Sequence, residues 1–436
     1  MARWRRGRVA SGLGVVAVLG SLTVTSVNPA AAAFPGRNGP ILCASERTGD
    51  QEIFAFNPDG SDPRRLTVHP ANDLEATMSP DGTRIAFTST RGGDQDIWIM
   101  YADGSGLKQL TFTPGEDRPG TFSPDGTRLA FQSARFPVPA GTGHSRLELF
   151  TMAIDGSDVR RLTNNNFQDS FAHWSPNGDR IAFTSNRAGD FEIWSLVPVD
   201  ADNDGNADVQ TRVTNSPGED SHASWSPDGS QLTFHSRRDP GAIEIYRMNA
   251  DGSNPVRLTG PDTLFDGFPS WSPDGQRIVW SHLFPSEGFT MNASDGSARF
   301  NVTNHPTDDT RCDWARLLPC TISGAGDITG TEGDDVICGS DGNDRIAALG
   351  GNDVVYAGRG DDQVAAGGGR DIVFGGPGVD RIDAGDGDDT VFGDQGTDFI
   401  FAGAGNDIAS GSEDGDQVVG GDGADECYGE ALALCP

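Results

Sequence analysis

The sequence predicts an all-β protein, a six-bladed β-propeller followed by a parallel β-roll solenoid. Three observations predict it. A unit of roughly forty-five to fifty residues recurs through most of the chain, and eleven nine-residue units then fill residues 329–427 without an insertion. The chain is also strongly acidic, with 64 Asp and Glu residues against 32 Lys and Arg residues and a net charge of −32.

The N-terminal residues have the composition of an export signal. Residues 1–8 contain four arginines, residues 9–27 are apolar with some Gly, Ser and Thr, and residues 28–33 end in four alanines. This order predicts a secretory signal peptide over residues 1–33. A retained membrane anchor is the alternative, but the apolar stretch is short and Pro29 interrupts it. We therefore expect a secreted, extracellular protein, free or associated with the cell surface, with no transmembrane segment after cleavage.

The long repeat is marked by a Ser-Pro-Asp-Gly or Ser-Pro-Asn-Gly turn. Each marker opens a cycle of short strands joined by Asp-Gly turns, as in residues 84–89, 96–100 and 109–111. Alternating strands between such turns predict antiparallel hairpins, so each cycle forms a four-stranded sheet. Repeated sheets of this length are typical of a propeller. The marker serines are Ser79, Ser123, Ser175, Ser226 and Ser272.

The two ends of the long repeat complete one another. Residues 38–43 begin in the middle of a cycle, and residues 310–314 supply an opening strand with nothing after it. Together they make a sixth blade, which closes the ring by pairing the first and last strands. Because Trp precedes three of the markers, the repeat resembles the TolB-type propeller with its Trp-Ser-Pro-Asp-Gly signature. The resemblance covers about residues 36–318, and we assign the propeller to residues 34–318.

The cysteine content agrees with an exported chain. Disulfides persist in oxidising compartments, and the six cysteines of this chain allow fifteen pairings. A bond between the first and second cysteines would clamp the closing blade of the propeller. No Cys-x-x-Cys motif is present, so a zinc ribbon or a thioredoxin-like site has no support in the sequence. The pairs that we favour are Cys43–Cys312, Cys320–Cys338 and Cys427–Cys435.

An acidic loop interrupts the propeller repeat at residues 200–208. It has carboxylates at alternate positions, a glycine for a sharp turn and a further carboxylate at its ninth position, a donor set for one Ca²⁺ ion. The loop matches the first nine residues of an EF-hand loop but has Thr211 in place of the bidentate Glu. It resembles more closely the calcium-binding β-hairpin loops of integrin-type propellers; a solvated acidic loop is the alternative. The candidate ligands are Asp200, Asp202, Asp204 and Asp208.

One aspartate, which we call the ring aspartate, precedes the marker of every blade. It lies six residues before the marker serine, or before Ala315 in the closing blade, so the six carboxylates enter the innermost strands at one level. One interpretation is an acidic channel mouth that binds a cation or a basic peptide. We favour a structural interpretation, in which each carboxylate accepts backbone N–H bonds from the adjoining turn. The ring aspartates are Asp73, Asp117, Asp169, Asp220, Asp266 and Asp309.

The short repeat keeps one register over all its units. The seventh position is always aspartate, glycine lies two residues before it in ten units, and an aliphatic or small apolar residue lies two residues after it. A period this strict predicts stacked turns, because each turn can bury its apolar residue only against its neighbours. We assign the solenoid to residues 319–436. Its aspartates are Asp335, Asp344, Asp353, Asp362, Asp371, Asp380, Asp389, Asp398, Asp407, Asp416 and Asp425.

The same register supplies calcium ligands. Glycines permit positive φ and let backbone carbonyls converge in the turn, and each turn adds one carboxylate. Ca²⁺ accepts six to eight such oxygens in irregular geometry, whereas Mg²⁺ fits less well. The pattern at residues 350–355, 385–391 and 403–408 resembles the haemolysin-type, or repeats-in-toxin, calcium-binding nonapeptide. That resemblance implies a parallel β-roll with Ca²⁺ ions between its turns, for which the eleven aspartates are the candidate ligands.

Some units depart from the nonapeptide pattern, and these departures count against particular ion sites. An acidic, glycine-rich disordered tail is the alternative to a folded solenoid, but it would not keep apolar residues in phase. Residues 321–436 hold 21 Asp and four Glu residues against four Arg residues, a net charge of −21, so an empty stack should repel itself. The departures are Pro377, Arg345, Arg370, Arg381 and the shifted glycine before Asp416.

These features leave two functions open. The acidic balance counts against a nucleic-acid partner, which requires basic residues. No Gly-x-Ser-x-Gly or His-Glu-x-x-His motif is present, and of the seven scattered histidines only His173 and His222 lie close to ring aspartates of successive blades. We expect a non-enzymatic calcium-binding protein whose propeller presents a binding face for a protein, peptide or polysaccharide. The alternative is a carbohydrate-active enzyme, a polysaccharide lyase or hydrolase, acting in the propeller channel.

Overall fold

The computed structural model of the chain describes residues 37–136, 147–201, 204–239, 242–260, 265–282, 286–412, 415–429 and 435. These residues form strands and turns, as the predicted all-β fold requires. In these ranges there is no helix long and apolar enough to cross a membrane. The predicted signal peptide and Asp202 lie outside the described residues.

The first part of the described chain is a six-bladed propeller, as predicted. Its strands form six antiparallel sheets of four strands each: β24-β1-β2-β3, then β4 to β7, β8 to β11, β12 to β15, β16 to β19 and β20 to β23. The strands are β1 (Arg37–Ser45), β2 (Glu52–Phe56), β3 (Arg64–Arg65), β4 (Asp73–Met78), β5 (Arg84–Ser89), β6 (Asp96–Tyr101), β7 (Lys108–Gln109), β8 (Asp117–Phe122), β9 (Arg128–Ser133), β10 (Glu148–Ala153), β11 (Arg160–Arg161), β12 (Asp169–Trp174), β13 (Ile181–Ser185), β14 (Glu192–Val197), β15 (Val209–Arg212), β16 (Asp220–Trp225), β17 (Gln231–Ser236), β18 (Glu244–Asn249), β19 (Val256–Arg257), β20 (Asp266–Trp271), β21 (Arg277–His282), β22 (Glu287–Asn292), β23 (Phe300–Asn301) and β24 (Asp309–Leu317).

The marker turns join the first two strands of a blade, and their side chains hold the turn closed. In the turn between β4 and β5, the Ser79 hydroxyl donates to Asp81 Oδ1 at 2.5 Å and accepts the backbone N–H of Arg84 at 2.9 Å. Gly82 in the same turn has φ +78°, a conformation that suits glycine. The same serine-to-aspartate bond occurs at Ser123 and in later blades. The marker therefore encodes a hairpin turn, which is why it recurs once per blade.

The closing blade is built from both ends of the propeller. Strand β24 pairs antiparallel with β1, with Ile41 opposite Trp314. A disulfide joins Cys43 to Cys312 in this blade, and the other two favoured pairs, Cys320–Cys338 and Cys427–Cys435, are also present. The predicted blade count of six and the predicted closure are confirmed.

The second part is a parallel β-solenoid. Each turn of eighteen residues contributes one short strand to each of two parallel sheets, so that Val355 pairs with Val373, and Val364 pairs with Ile382. The residues two after the aspartates form a continuous buried core between the sheets. The seven-stranded sheet contains β25 (Ile322–Ser323), β27 (Val336–Cys338), β29 (Val354–Tyr356), β31 (Ile372–Phe374), β33 (Thr390–Phe392), β35 (Ile408–Ser410) and β37 (Glu426–Tyr428). The six-stranded sheet contains β26 (Asp327–Thr329), β28 (Arg345–Ala347), β30 (Gln363–Gly368), β32 (Arg381–Asp386), β34 (Phe399–Ala404) and β36 (Gln417–Asp422).

The seven-stranded sheet packs against the propeller through a column of stacked aromatic rings. Tyr356, Phe374 and Phe392 follow one another at centroid distances of 5.1 and 5.2 Å. Tyr101 of the propeller lies 6.1 Å from the last of these rings. Beside the column, Arg64 pairs with Asp394 at 3.2 Å. The outer face of the six-stranded sheet remains exposed, with Phe399 at 42% and Phe401 at 39% exposure.

Candidate functional site

The solenoid aspartates form two ladders, one along the N-terminal ends of the strands of each sheet. In each ladder the backbone N–H of one aspartate donates to Oδ1 of the aspartate eighteen residues later; both bonds that link Asp353, Asp371 and Asp389 are 2.8 Å long. The carboxylates therefore repeat with the spacing of neighbouring strands, about 4.8 Å. Asp335, Asp353, Asp371, Asp389, Asp407 and Asp425 precede the strands of the seven-stranded sheet, and Asp344, Asp362, Asp380, Asp398 and Asp416 precede those of the six-stranded sheet.

A stack of glycine carbonyls lies beside the ladders. A Cβ on Gly387 would lie 1.6 Å from the carbonyl oxygen of Gly369, and a Cβ on Gly405 would lie 1.7 Å from the carbonyl oxygen of Gly387. Both Gly387 and Gly405 have φ +146°. The Cβ position of Gly387 is also 3.3 Å from Asp389 Oδ1. Carbonyl and carboxylate oxygens thus meet in a narrow cradle between turns, which any larger residue would fill.

The second carboxylate oxygen of many ladder aspartates has no protein partner. Burial, together with the charge of neighbouring carboxylates, raises the pKa of Asp353 and Asp362 to about 6 and the pKa of Asp380 and Asp389 to about 7. A buried acceptor without a donor is costly, and a bound cation removes that cost. Among the described residues, the Oδ2 atoms that are buried and accept no hydrogen bond include those of Asp353, Asp362, Asp371, Asp380, Asp389, Asp407 and Asp425.

These donors fit Ca²⁺. In the described part of the chain, no three His, Cys, Asp or Glu side chains cluster closely enough to hold a metal ion by themselves. Backbone carbonyls such as those of Gly369 and Gly387 must therefore complete each site, which is the mixed oxygen set that Ca²⁺ accepts. When bound, the ion supplies the positive charge that a column of buried carboxylates lacks. The nonapeptide aspartates thus lie in register along the solenoid beside the glycine carbonyls. Their role as calcium ligands stays a prediction.

The first aspartate of each ladder differs from those that follow. Thr331 donates to Asp335 Oδ2 from its backbone N–H at 2.7 Å and from its hydroxyl at 2.8 Å. Ser340 makes the same two bonds to Asp344 Oδ2, at 2.6 and 2.9 Å. The bonds from Thr331 lower the pKa of Asp335 below its ordinary value. At the solenoid's first turn, hydroxyl and backbone N–H groups therefore satisfy the second carboxylate oxygen.

The departures from the nonapeptide pattern fall in different places. Arg345 and Arg381 begin the strands β28 and β32 on the exposed face, outside the turns, so they do not interrupt the carbonyl stack. Pro377 stays within the stack, since its carbonyl accepts the N–H of Gly360 at 2.9 Å. Arg370 occupies a turn, where its backbone N–H donates to Asn352. Of these three arginines, Arg370 therefore occupies the turn position, just before the ladder aspartate, where several other units have Asp or Asn.

The acidic hairpin loop of the propeller is closed by its own carboxylates. Asp200 Oδ2 accepts the backbone N–H of Gly205 at 2.9 Å, and Gly205 has φ +78° as the sharp turn requires. Asp204 and Asp208 also accept backbone N–H groups of the loop. Three of the four predicted ligands therefore lie in one turn. Calcium binding here stays a prediction, because Asp202 lies outside the described residues.

The ring aspartates are held by charged side chains of their own blade. All are 0–1% exposed. Five pair with an arginine from the end of the neighbouring strand, at 2.5 Å for Arg91 with Asp73 and 3.3 Å for Arg135 with Asp117. Asp266 contacts His282 at 2.9 Å instead. The expected backbone N–H donors are replaced by guanidinium groups, because a buried carboxylate requires a compensating charge. This neutralisation supports the structural interpretation over an acidic channel mouth.

The side chains that line the channel lie two and four residues after each ring aspartate, and most of them belong to no sequence motif. At the second level, His173 Nε2 lies 3.3 Å from Ser224 Oγ, and Ser270 donates to Asp313 at 2.6 Å. Burial lowers the pKa of His173. The first level, which we call the channel ring, lines a cavity of about 140 Å³. It consists of Glu75, Pro119, Phe171, His222, Phe268 and Arg311.

The signal that identifies the channel ring in the sequence is a fixed offset from the ring aspartate. Residue identity does not reveal it, because the type changes from blade to blade. His173 and His222, noted in the sequence for their closeness to ring aspartates, lie on the two successive levels of the channel. Glu75 and Arg311 belong to no motif of the sequence.

Family comparisons agree with both repeats. The family model for the N-terminal β-propeller domain of Tricorn protease matches residues 48–146. The model for the calcium-binding nonapeptide repeat of the repeats-in-toxin type matches residues 329–364, 339–373, 365–400, 374–409 and 401–431. The chain therefore carries a TolB-like propeller and calcium-binding nonapeptide repeats. It is a calcium-binding propeller protein.

Individual relatives match parts of the chain. An uncharacterized protein of Agrobacterium fabrum is 32% identical over 134 residues, which are 30% of this chain and 42% of that protein. A TolB homolog of Chlorobium luteolum is 40% identical over 50 residues, 12% of each chain. The chain thus spans less than half the length of these curated relatives. TolB from Acinetobacter baumannii shares the fold, with a TM-score of 0.54 and 22% identity over 64% of this chain and 67% of that chain.

Proposed function

We propose that this protein is secreted, that it takes up calcium in its solenoid, and that its propeller presents a binding face for a ligand or a partner without catalysing a reaction. The observation that carries the proposal is the pair of buried carboxylate ladders. A stack of such carboxylates carries like charges one strand spacing apart and is stable as the charged form only with cations. Extracellular calcium is the cation that this oxygen set suits.

Two further observations support export and binding. All six cysteines are paired in three disulfides, a state that oxidising compartments maintain. The channel ring holds charged and aromatic side chains at the opening of a cavity, which is the composition of a ligand site rather than of a packed core. The domain assignments 34–318 and 319–436 give each part a separate role, with the solenoid as the calcium-dependent part.

Calcium stoichiometry of matched aspartate variants tests the ladder. Asp389→Asn removes one buried carboxylate, whereas Asp383→Asn removes one exposed carboxylate of the same charge. Titration calorimetry of the chain from residue 34 to residue 436 should show several bound ions, fewer ions in the Asp389 variant and an unchanged number in the Asp383 variant. Unchanged stoichiometry in both variants would refute the ladder as the calcium site.

The binding face is tested by affinity capture. The calcium-loaded chain, immobilised, should retain a defined partner or polysaccharide from the medium of the producing cells. A variant with Arg311→Gln and Phe268→Leu in the channel ring should lose it. The exposed-face variant Arg345→Gln serves as the control, since its side chain lies far from the channel on the six-stranded sheet. Retention by all variants alike would place binding outside the channel.

A carbohydrate-active enzyme is the second candidate, and the second level of the channel favours it. His173 is within hydrogen-bond reach of Ser224, and Asp313 lies on the same level. A lyase or hydrolase would release ultraviolet-absorbing or reducing ends from a polysaccharide panel, and His173→Ala would abolish that release. Binding without release of any product would reject the enzyme.

A further inference from the structure

The six blades can be aligned with one another, because each is a copy of one unit. In this alignment the ring aspartate is identical in all six blades and pairs with a cationic side chain or histidine in each. The channel ring lies only two residues away, yet its six positions hold five residue types. A structural role repeats the same residue in every copy. The variety of the channel ring therefore indicates that each blade contributes different chemistry to one asymmetric site.

The backbone holds the channel ring in an unusual conformation. Strand pairing shifts register at this point, for example between Ser221 and Ser224 of β16. The non-glycine residues at the shift have positive φ, which L-residues adopt at an energetic cost. β-Bulges of this kind re-aim a side chain, and here they direct five side chains to the cavity. The φ values are +55° at Glu75, +56° at Phe171, +54° at His222, +55° at Phe268 and +53° at Arg311.

One half of the channel ring is aromatic. The ring centroids of Phe171 and His222 are 3.4 Å apart, and those of His222 and Phe268 are 4.5 Å apart with an edge-on geometry. Burial lowers the pKa of His222 well below its ordinary value, so this side chain is an uncharged aromatic ring. These three side chains form a continuous aromatic arc against which a small hydrophobic group can pack.

The other half of the channel ring is charged but balanced. Arg311 pairs with Glu75, and Arg118 lies 3.4 Å from Glu75 and 2.5 Å from Glu116. These two guanidinium groups and two carboxylates balance one another, and Asp313, the further carboxylate of the cavity, accepts a hydrogen bond from Ser270. A ligand with one charge would therefore leave one member of the pairs without a counter-charge among partly buried side chains, which is costly. A ligand with one positive and one negative group would instead pair with one carboxylate and one guanidinium group at the same time.

We propose that the channel ring binds a free α-amino acid with an apolar or aromatic side chain. The ligand carboxylate pairs with Arg311, whose planar guanidinium suits it, and the ligand ammonium group pairs with Glu75. The ligand side chain packs against the aromatic arc. A cavity of about 140 Å³ suits a small molecule of this kind. This inference rests on the proposed binding function and names the ligand class of that site.

Titration calorimetry with the calcium-loaded chain of residues 34–436 tests the proposal. Leucine and phenylalanine serve as probes, N-acetyl-leucine removes the ammonium charge, and leucinamide removes the carboxylate. We expect saturable binding of the free amino acids and at least a tenfold loss of affinity for either blocked form. Glu75→Gln and Arg311→Gln should each cause a similar loss. The matched controls Glu219→Gln and Arg345→Gln, at a partly exposed and an exposed position outside the channel, should bind as the unsubstituted chain does.

The blocked probes keep the test valid even if a channel variant fails to fold, because they use the unsubstituted chain. Equal binding of free and blocked leucine would overturn the zwitterion requirement and indicate a peptide. Binding of glucose or another neutral sugar in place of amino acids would also overturn it. Absence of amino-acid binding while affinity capture still retains a partner would reject the ligand class alone. Absence of both would reject the proposed binding function as well.

Discussion

Substitution of Gly369 with alanine tests the carbonyl cradle at a turn that stacks closely on its neighbour. The new Cβ would lie 1.9 Å from the carbonyl oxygen of Gly351 and 2.6 Å from its carbonyl carbon, and Gly369 has φ +131°. Ordinary contact begins at 3.4 Å, so the two turns must move apart by roughly 1.5 Å. We expect Gly369→Ala to lower the free energy of unfolding by about 2–6 kcal/mol, because backbone strain and overpacking act together.

Gly368 provides a matched control one residue away. No heavy atom lies within 4 Å of its Cβ position, so Gly368→Ala meets open space. Alanine there should leave stability unchanged or raise it slightly, by less than about 1 kcal/mol. Scanning calorimetry in calcium measures the melting temperature of each variant, and a calcium titration counts the ions. We expect Gly369→Ala alone to lower both quantities. Equal melting temperatures and equal ion numbers in the two variants would refute the cradle.

Three further outcomes are expected. In chelator, the pKa values of Asp380 and Asp389 are raised to about 7 each, so the folded solenoid binds more protons than the unfolded chain. The stability of the metal-free solenoid is therefore greatest below about pH 4 and falls as the pH rises through 7. Circular dichroism of the metal-free chain should show more β-structure at pH 5 than at pH 8, and the reverse result would contradict this assignment. Replacement of Cys43 and Cys312 by serine opens a cross-link of 269 residues and should cost about 3–5 kcal/mol, measured by denaturant unfolding; an unchanged midpoint would count against closure by this bond. The propeller fragment 34–318 should bind about one Ca²⁺ and lose it on Asp204→Ala, with unchanged ion binding directing the search elsewhere in the propeller.

Features that repeat could be predicted from the sequence, because a repeat shows its own register. The nonapeptide period locates Asp389 and its equivalents, and the split cycle at the two ends of the propeller predicts the pairing of Cys43 with Cys312. Both follow from spacing along the chain. The oxygen cradle between the turns could be predicted only in part, because its carbonyl oxygens belong to glycines whose positions depend on the stacking of turns.

Contacts between residues that are distant in the sequence were not apparent from the sequence patterns. The arginine that neutralises a ring aspartate follows the neighbouring strand, and Arg47, which neutralises Asp309, lies at the opposite end of the propeller sequence. The charged arc of the channel ring joins Arg311 to Glu75 across the ring closure, 236 residues apart. The aromatic column headed by Tyr356 is visible as an eighteen-residue spacing, but nothing local indicates that the propeller covers it.

The closing blade has a consequence for the order in which the protein can fold. Strand β1 pairs on one side with β2, but its other neighbour is β24, which leaves the ribosome only after the whole propeller has been made. Until then the ring is open and Cys43 lacks its partner. The solenoid strands pair with strands only eighteen residues earlier, so that part can grow one turn at a time. The propeller is therefore completed in one late step, when β24 pairs with β1. The solenoid is completed in a succession of small steps, each of which adds one turn and the next layer of the aspartate ladders.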